Sequence, residues 1–183
     1  MRWENVHDLI GRRYASAHGA VPVANYPHFC TISRNGGNEP SAVLGFRPAN
    51  EGRLFLEDYL DAPVEEVVSA LLACPIERDR IVEIGAHASD RSKATIELWA
   101  LTARHVSGTA DVAVAVLTEP LRDMFNRLGI PIIEICDADP ARLNGAGEEW
   151  GRYYEMRPKV CAGLIAPALP KLAGFNSQRG HCS

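Results

Sequence analysis

The sequence predicts a single α/β (α+β) domain in which helices flank a mixed central β-sheet. Three observations carry that prediction. Apolar residues recur at helical spacing in some windows and at strand spacing in others, and the two kinds alternate along the chain. Two consecutive strand–helix–strand units lie between Arg80 and Cys136, and such crossovers imply parallel pairing at the centre of the sheet. The chain has 183 residues, 46% hydrophobic and 23% charged, enough for one substantial core. We take residues 1–170 as the domain and 171–183, with Gly174, Gly180 and several polar residues, as a flexible tail.

Val6, Leu9, Ile10 and Tyr14 share one helical face, so an N-terminal helix is expected to end near Gly19. His28–Ser33 and Ser41–Phe46 flank Asn35-Gly36-Gly37, a cluster suited to positive φ, and read as a hairpin with a longer loop. Leu54–Leu60 reads as a strand of mixed pattern. Asp61 and Pro63 then open a helix carrying Val64, Val67, Val68, Leu71 and Leu72, closed before Pro75. Arg80–Ile84 is a strand, and Asp90 or Ser92 can cap the helix after it. The nearly continuous apolar run Ala110–Thr118 suits a strand covered on both faces. A short helix through Leu121, Met124, Phe125 and Leu128 stops at Gly129, and strands follow at Pro131–Cys136 and Val160–Ile165.

Composition excludes several function classes. A net charge of -4 argues against nucleic acid as a partner, because a phosphate-backbone binder carries a basic stripe. No run approaches the length of a membrane-spanning helix, and the N-terminus lacks the apolar core of a secretory signal, so a cytoplasmic location is expected. Five cysteines (Cys30, Cys74, Cys136, Cys161, Cys182) show no metal-ligand spacing. They read as reduced thiols, with no metal expected.

The richest segment is Arg80-Ile81-Val82-Glu83-Ile84-Gly85-Ala86-His87-Ala88-Ser89. An apolar strand carries one carboxylate, stops at a glycine and runs through small residues into a helix. A helix N-terminus of this kind offers free N–H groups and a favourable dipole to an anion.

Several blocks occur in a recognisable order: Phe46-Arg47-Pro48-Ala49, Leu54-Phe55-Leu56-Glu57-Asp58-Tyr59-Leu60-Asp61-Ala62-Pro63, Ile81-Val82-Glu83-Ile84-Gly85, Phe125-Asn126-Arg127-Leu128-Gly129-Ile130-Pro131, Ala138-Asp139-Pro140-Ala141-Arg142-Leu143 and Trp150-Gly151-Arg152-Tyr153-Tyr154. Together they resemble the thermostable hemolysin family of bacterial proteins over roughly residues 28–165. That family looks like a variant of the GNAT-type acyltransferase fold, shared with the acyl-homoserine lactone synthases. The resemblance implies that the Arg80–Gly85 strand splays from the Ala110–Thr118 strand and admits the pantetheine arm of an acyl donor. It also implies that Gly85, Ala86, Ser89, Arg91, Ser92 and Lys93 hold the donor's pyrophosphate. Val-Glu-Ile-Gly is similar to the Glu-x-Ser segment of the lactone synthases, which puts Glu83 at the reaction centre. Two departures stand out. The Arg/Gln-x-x-Gly-x-Gly/Ala loop of GNAT enzymes is missing, and Ala86-His87 replaces the Asn-Leu usual in the family's Glu-Ile-Gly-Asn-Leu-Ala. The donor is therefore expected to be an acyl-CoA or an acyl-carrier-protein thioester.

Each candidate has a chemical and a plain reading. A buried Glu83 would have a raised pKa and suit a general base; the plain reading faces it to solvent or pairs it with Arg80. His87 can shuttle a proton near neutral pH, or be a surface residue. Tyr153 and Tyr154 can protonate a leaving thiolate, or close a core edge. Glu57 and Tyr59, beside Asp58 and Asp61, can receive a cationic amine; Phe55, Leu56 and Leu60 around them are core-like. Arg122 can meet a carboxylate or phosphate, or be a surface charge. Cys161 reads as a small buried residue rather than a nucleophile, and His28 heads a strand.

The expected function is acyl transfer from a thioester to a small-molecule amine or hydroxyl, with an acyl carrier protein as a candidate partner. Two other readings compete: a membrane-active hemolysin, and a GNAT-fold binding protein without catalysis. The first finds no long apolar run and no Lys/Arg-rich amphipathic helix to support it.

Overall fold

The structure is a computed structural model and describes residues 3–20, 25–33, 39–89, 92–143, 146–175 and 180–183. The N-terminal helix α1 (Trp3–His18) buries Val6, Leu9 and Ile10, and the chain turns off it at Gly19 with φ +69°. The hairpin follows as β1 (His28–Ser33) and β2 (Pro40–Pro48), paired antiparallel. Next come α2 (Val64–Leu72), β3 (Ile81–Ser89), α3 (Ser92–Val106), β4 (Val112–Leu117) and α4 (Glu119–Arg127). The chain closes with β5 (Ile133–Asp137), β6 (Lys159–Leu164), α5 (Ile165–Leu172) and β7 (Gly180–Cys182).

The seven strands form one sheet in the order β5-β6-β4-β3-β2-β1-β7. Among the described residues, only β3 and β4 pair in parallel. The second crossover does not bring β5 beside β4, because β6 inserts between them and pairs antiparallel with both. Alternating side chains send Ile32, Leu44, Val82 and Ile84 to the face covered by α3, α4 and α5. Phe29 and Val43 pack under α1, while Ile81, Val112 and Val114 pack under α2. As a strand covered on both faces, β4 has the continuous apolar run that position requires.

Three expectations need correction. Leu54–Leu60 is no strand: Phe55–Tyr59 forms a 3-10 helix. The N–H groups of Phe55 and Leu56 find the distant Glu83 carboxylate, and that of Leu54 finds Glu57, instead of a neighbouring strand. The expected loop after Ile84 is also strand, since β3 stays paired with β2 as far as Ser89.

The third concerns the cysteines. Cys30 and Cys182 are joined in a disulfide across a separation of 152 residues, while Cys74, Cys136 and Cys161 are free. β7 lays Cys182 directly opposite Cys30 on the edge of the sheet. Residues 171–183, expected as a tail, thus hold the end of α5 and an edge strand. Reduction, or Cys182→Ser, is expected to lower stability by about 3 kcal/mol. Denaturant melts with and without dithiothreitol, after a thiol titration, check this.

Candidate active site

The site begins where two strands part. β3 and β4 pair from Ile81↔Val112 to Ile84↔Ala115. Beyond that point β3 remains with β2, and β4 remains with β6. The gap is a cleft of ≈ 230 Å³, lined by Gly85, Ala86 and His87 of β3 and Val116 of β4, with Trp99 and Tyr153 among its walls. Strand edges that separate in this way leave main-chain N–H and C=O groups for a ligand.

A β-bulge sits at the parting. Gly45 opposes Gly85 and Val43 opposes Ala88, so Ala86 and His87 together face Leu44 alone. Ala86 takes φ +47°, a left-handed conformation that a residue with a Cβ adopts at a cost. Bulges re-aim side chains beside active sites; here the extra residue turns His87 into the cleft.

Glu83 lies just before the bulge and is 2% exposed. Its carboxylate accepts the N–H groups of Phe55 (3.0 Å) and Leu56 (2.8 Å) at the start of the 3-10 helix. Burial drives its pKa up to about 7, against those two hydrogen bonds and the nearby Arg47 charge. Arg80 is not its partner, being paired with Asp111 at 2.7 Å. Glu83 lines a second cavity of ≈ 280 Å³ together with Arg47, Arg53 and Asp58. Arg47 stands opposite Glu83 in the β2–β3 register, and its guanidinium donates to the carbonyls of Arg53 (2.8 Å) and Asn25 (2.6 Å). The two cavities share Tyr14, Tyr26, Phe55, Ala86 and Trp150 as walls.

Tyr26 explains the glycine after Glu83. A Cβ on Gly85 would lie 2.1 Å from the Tyr26 hydroxyl, and one on Gly45 would lie 2.8 Å from the Tyr26 side chain. The tyrosine therefore lies against the sheet over two glycines, its phenol between the cavities. Burial, then the Glu83 charge, hold that phenol well above its ordinary pKa.

The other sequence candidates divide. His87 and Tyr153 line the cleft, but burial lowers the His87 pKa to about 4, so it stays neutral at neutral pH instead of titrating there. Tyr154 lies on neither cavity and bonds through its hydroxyl to that of Tyr59 at 2.7 Å. Tyr59, Glu57 and Arg122 are likewise structural, all buried. Glu57 accepts the N–H groups of Leu54 (2.8 Å) and Val64 (3.0 Å) and is paired with Arg78 at 2.8 Å. Burial pushes the Glu57 carboxyl up, but the Arg78 guanidinium and the two N–H groups outweigh it and hold the pKa at about 2. Arg122 donates to the carbonyls of Leu117 (2.6 Å) and Arg157 (2.8 Å) and pairs with Glu134.

Of the expected phosphate-binding set, Gly85, Ala86 and Ser89 lie on β3, Ser92 opens α3, and Arg91 falls outside the described residues. Lys93 is 83% exposed and 3.8 Å from Glu97. His28 pairs with Glu51 at 2.9 Å, and burial raises the Cys161 thiol to about 12. Among the described residues, no group of three or more His, Cys, Asp or Glu side chains could hold a metal, and no helix is long and apolar enough to cross a membrane. Arg53 and Tyr26 carry no sequence signal, while Arg47 and Trp150 occur in the family-like blocks with no role attached. The Arg47 signal was its place in a strand pattern two residues beyond Gly45, which gains meaning only opposite Glu83.

The fold as a whole is shared with several solved synthases. LasI, an acyl-homoserine lactone synthase, superposes with a TM-score of 0.62 at 13% identity, over 88% of this chain and 81% of its own. BjaI, a CoA-dependent acyl-homoserine lactone synthase solved with SAM and isopentyl-CoA, gives 0.59 at 12% identity over 94% and 82%. FeeM, an N-acyl amino acid synthase from uncultured soil microbes, gives 0.56 at 12% identity over 95% and 94%. No curated protein matches the sequence. The thermostable hemolysin family model matches residues 1–169, and the chain belongs to that family.

Proposed function

We propose that the protein transfers an acyl group from a thioester to the amino group of a small acceptor that also carries a carboxylate, such as an amino acid. The observation that carries this reading is the common wall of the two cavities beside Glu83 and the bulge. A donor arm in the cleft and an acceptor beside Glu83 meet there.

The acceptor's ammonium gives a proton to the Glu83 carboxylate. With a pKa near 7, that carboxylate matches an ammonium far better than a hydroxyl, so an amine is the favoured nucleophile. The freed nitrogen attacks the thioester carbon and forms the C–N bond. Charge moves to the carbonyl oxygen, which takes an N–H from the unpaired edge of β3. The C–S bond then breaks, and the proton left on nitrogen passes to the departing sulfur, with Tyr153 as the relay. Because Tyr153 is held well above its ordinary pKa by burial, it exchanges one proton for another instead of standing ionised.

Arg47 gives the acceptor cavity a positive charge beside Glu83, complementary to a carboxylate, whereas Arg53 is already paired with Asp58. The resemblance to BjaI and FeeM supports an acyl thioester as donor and an amine as acceptor. The donor thiol belongs to coenzyme A or to an acyl carrier protein, compounds used in the cytoplasm.

A comparison of an amino acid with its primary amide, at fixed acyl-CoA, tests the acceptor. The wild type should show a KM for the acid about 10- to 100-fold lower than for the amide. Arg47→Leu should erase that difference. Equal use of acid and amide by the wild type would contradict the reading.

A further inference from the structure

Two buried nitrogens have no hydrogen-bond partner among the described residues: Nε2 of His87 and Nε1 of Trp99. Both side chains line the cleft between β3 and β4. Trp99, 8% exposed, also borders a smaller cavity of ≈ 70 Å³ walled by apolar residues such as Ala113, Phe125 and Ile165. It therefore stands where the cleft turns from mixed to wholly apolar.

Buried polar atoms are nearly always bonded, so an orphan in a cavity asks for a ligand. The chemistry of the pair narrows that ligand. An indole N–H can only donate, so Trp99 requires an acceptor oxygen. His87, kept neutral by burial, presents one donor and one acceptor nitrogen. Neither side chain carries a charge, which disfavours a phosphate or carboxylate. A hydrocarbon chain would leave both atoms unbonded. A secondary amide supplies an acceptor oxygen and a donor N–H together.

We propose that Trp99 and His87 form a binding subsite for a secondary amide of the donor's thiol arm: Trp99 donates to the amide oxygen, and His87 accepts the amide N–H. This rests on the thioester-donor reading above. It also gives a role to His87, delivered into the cleft by the bulge. The subsite positions the arm so that its thioester reaches Glu83 while the acyl chain continues past Trp99.

The test is equilibrium binding, without acceptor, of two probes: hexanoyl-N-acetylcysteamine thioester, which has one such amide, and S-butyl hexanethioate, which has none. Trp99→Phe removes the N–H and keeps an aromatic ring. It should weaken the amide probe about tenfold and leave the amide-free probe unchanged. His87→Leu should do the same and keeps the test open if the first variant fails to fold, which circular dichroism shows. Amide-probe affinity equal to wild type in both folded variants overturns the subsite. So does an equal weakening of both probes, which marks lost packing. If the wild type binds neither probe, the thioester reading fails first and the subsite falls with it.

Discussion

Glu83→Gln is expected to lower kcat about 10³-fold while leaving donor affinity unchanged, the scale of a lost general base. The substitution keeps the side chain's shape and one acceptor oxygen, so one of the two N–H groups at the start of the 3-10 helix stays bonded while the other faces the amide –NH2. Wild-type kcat/KM should rise with pH and level off above about 7, where Glu83 becomes a carboxylate. A stability signature accompanies this. The folded pKa of about 7 lies above the ordinary 4.5, so folding favours the protonated acid. That contribution is fully present below pH 4.5 and is lost as pH rises through 7, by about 3 kcal/mol. The Gln variant has no such titration. Urea melts of the two proteins at pH 5 and pH 8 should therefore shift relative to one another by about that amount, in the variant's favour at pH 8. A flat difference would mean that Glu83 ionises as a solvated carboxylate does.

Glu57→Ala is expected to cost about 4 kcal/mol of stability at pH 7, the scale of breaking a buried ion pair from one side. Glu57 holds the N–H of Leu54 at 2.8 Å, the N–H of Val64 at 3.0 Å and both terminal nitrogens of Arg78 at 2.8 and 2.9 Å. Its loss leaves Arg78 with the carboxylate of Glu65 and the carbonyls of Ala49 and Gly52, and loosens both ends of the segment between the 3-10 helix and α2. Since Phe55 and Leu56 donate to Glu83 from that segment, activity should fall too. The folded pKa near 2 lies below the ordinary value. The Glu57 contribution is thus present above pH 4.5 and lost as pH falls toward 2. Urea denaturation of the variant checks the magnitude; a loss below about 1 kcal/mol would reduce Glu57 to a surface-like carboxylate.

Much of the fold was legible because its elements carry their own periodicity. The spacing of Val6, Leu9 and Ile10 predicts α1, and the apolar run before Thr118 predicts a doubly covered β4; both form. Periodicity says nothing about neighbours separated by long connections. The insertion of β6 between β4 and β5 and the Cys30–Cys182 bond both depend on where distant segments meet. The Leu54–Leu60 segment misleads for a physical reason: its conformation is set by Glu57 and by Glu83, the latter nearly thirty residues away along the chain, and not by its own alternation.

The site was half legible. Glu83 stands out as a lone carboxylate on an apolar strand, and the structure buries it and raises its pKa. Glu57 has the same residue type in a similarly apolar setting, yet an arginine 21 positions later makes it structural. No local spacing separates the two. Arg47 and Tyr26 gain significance only from the sheet, which sets one opposite Glu83 and presses the other onto Gly45 and Gly85.

Mass spectrometry of the reaction products tests the central claim most directly. Purified protein, a mixture of acyl-CoA and acyl-carrier thioesters, and a pool of free amino acids should yield an N-acyl amino acid and an equivalent of free thiol. The yield should collapse with Glu83→Gln. Donor and acceptor that both bind, yet give no N-acyl product from the wild type with any thioester, would contradict the account and leave a GNAT-fold binding protein in its place.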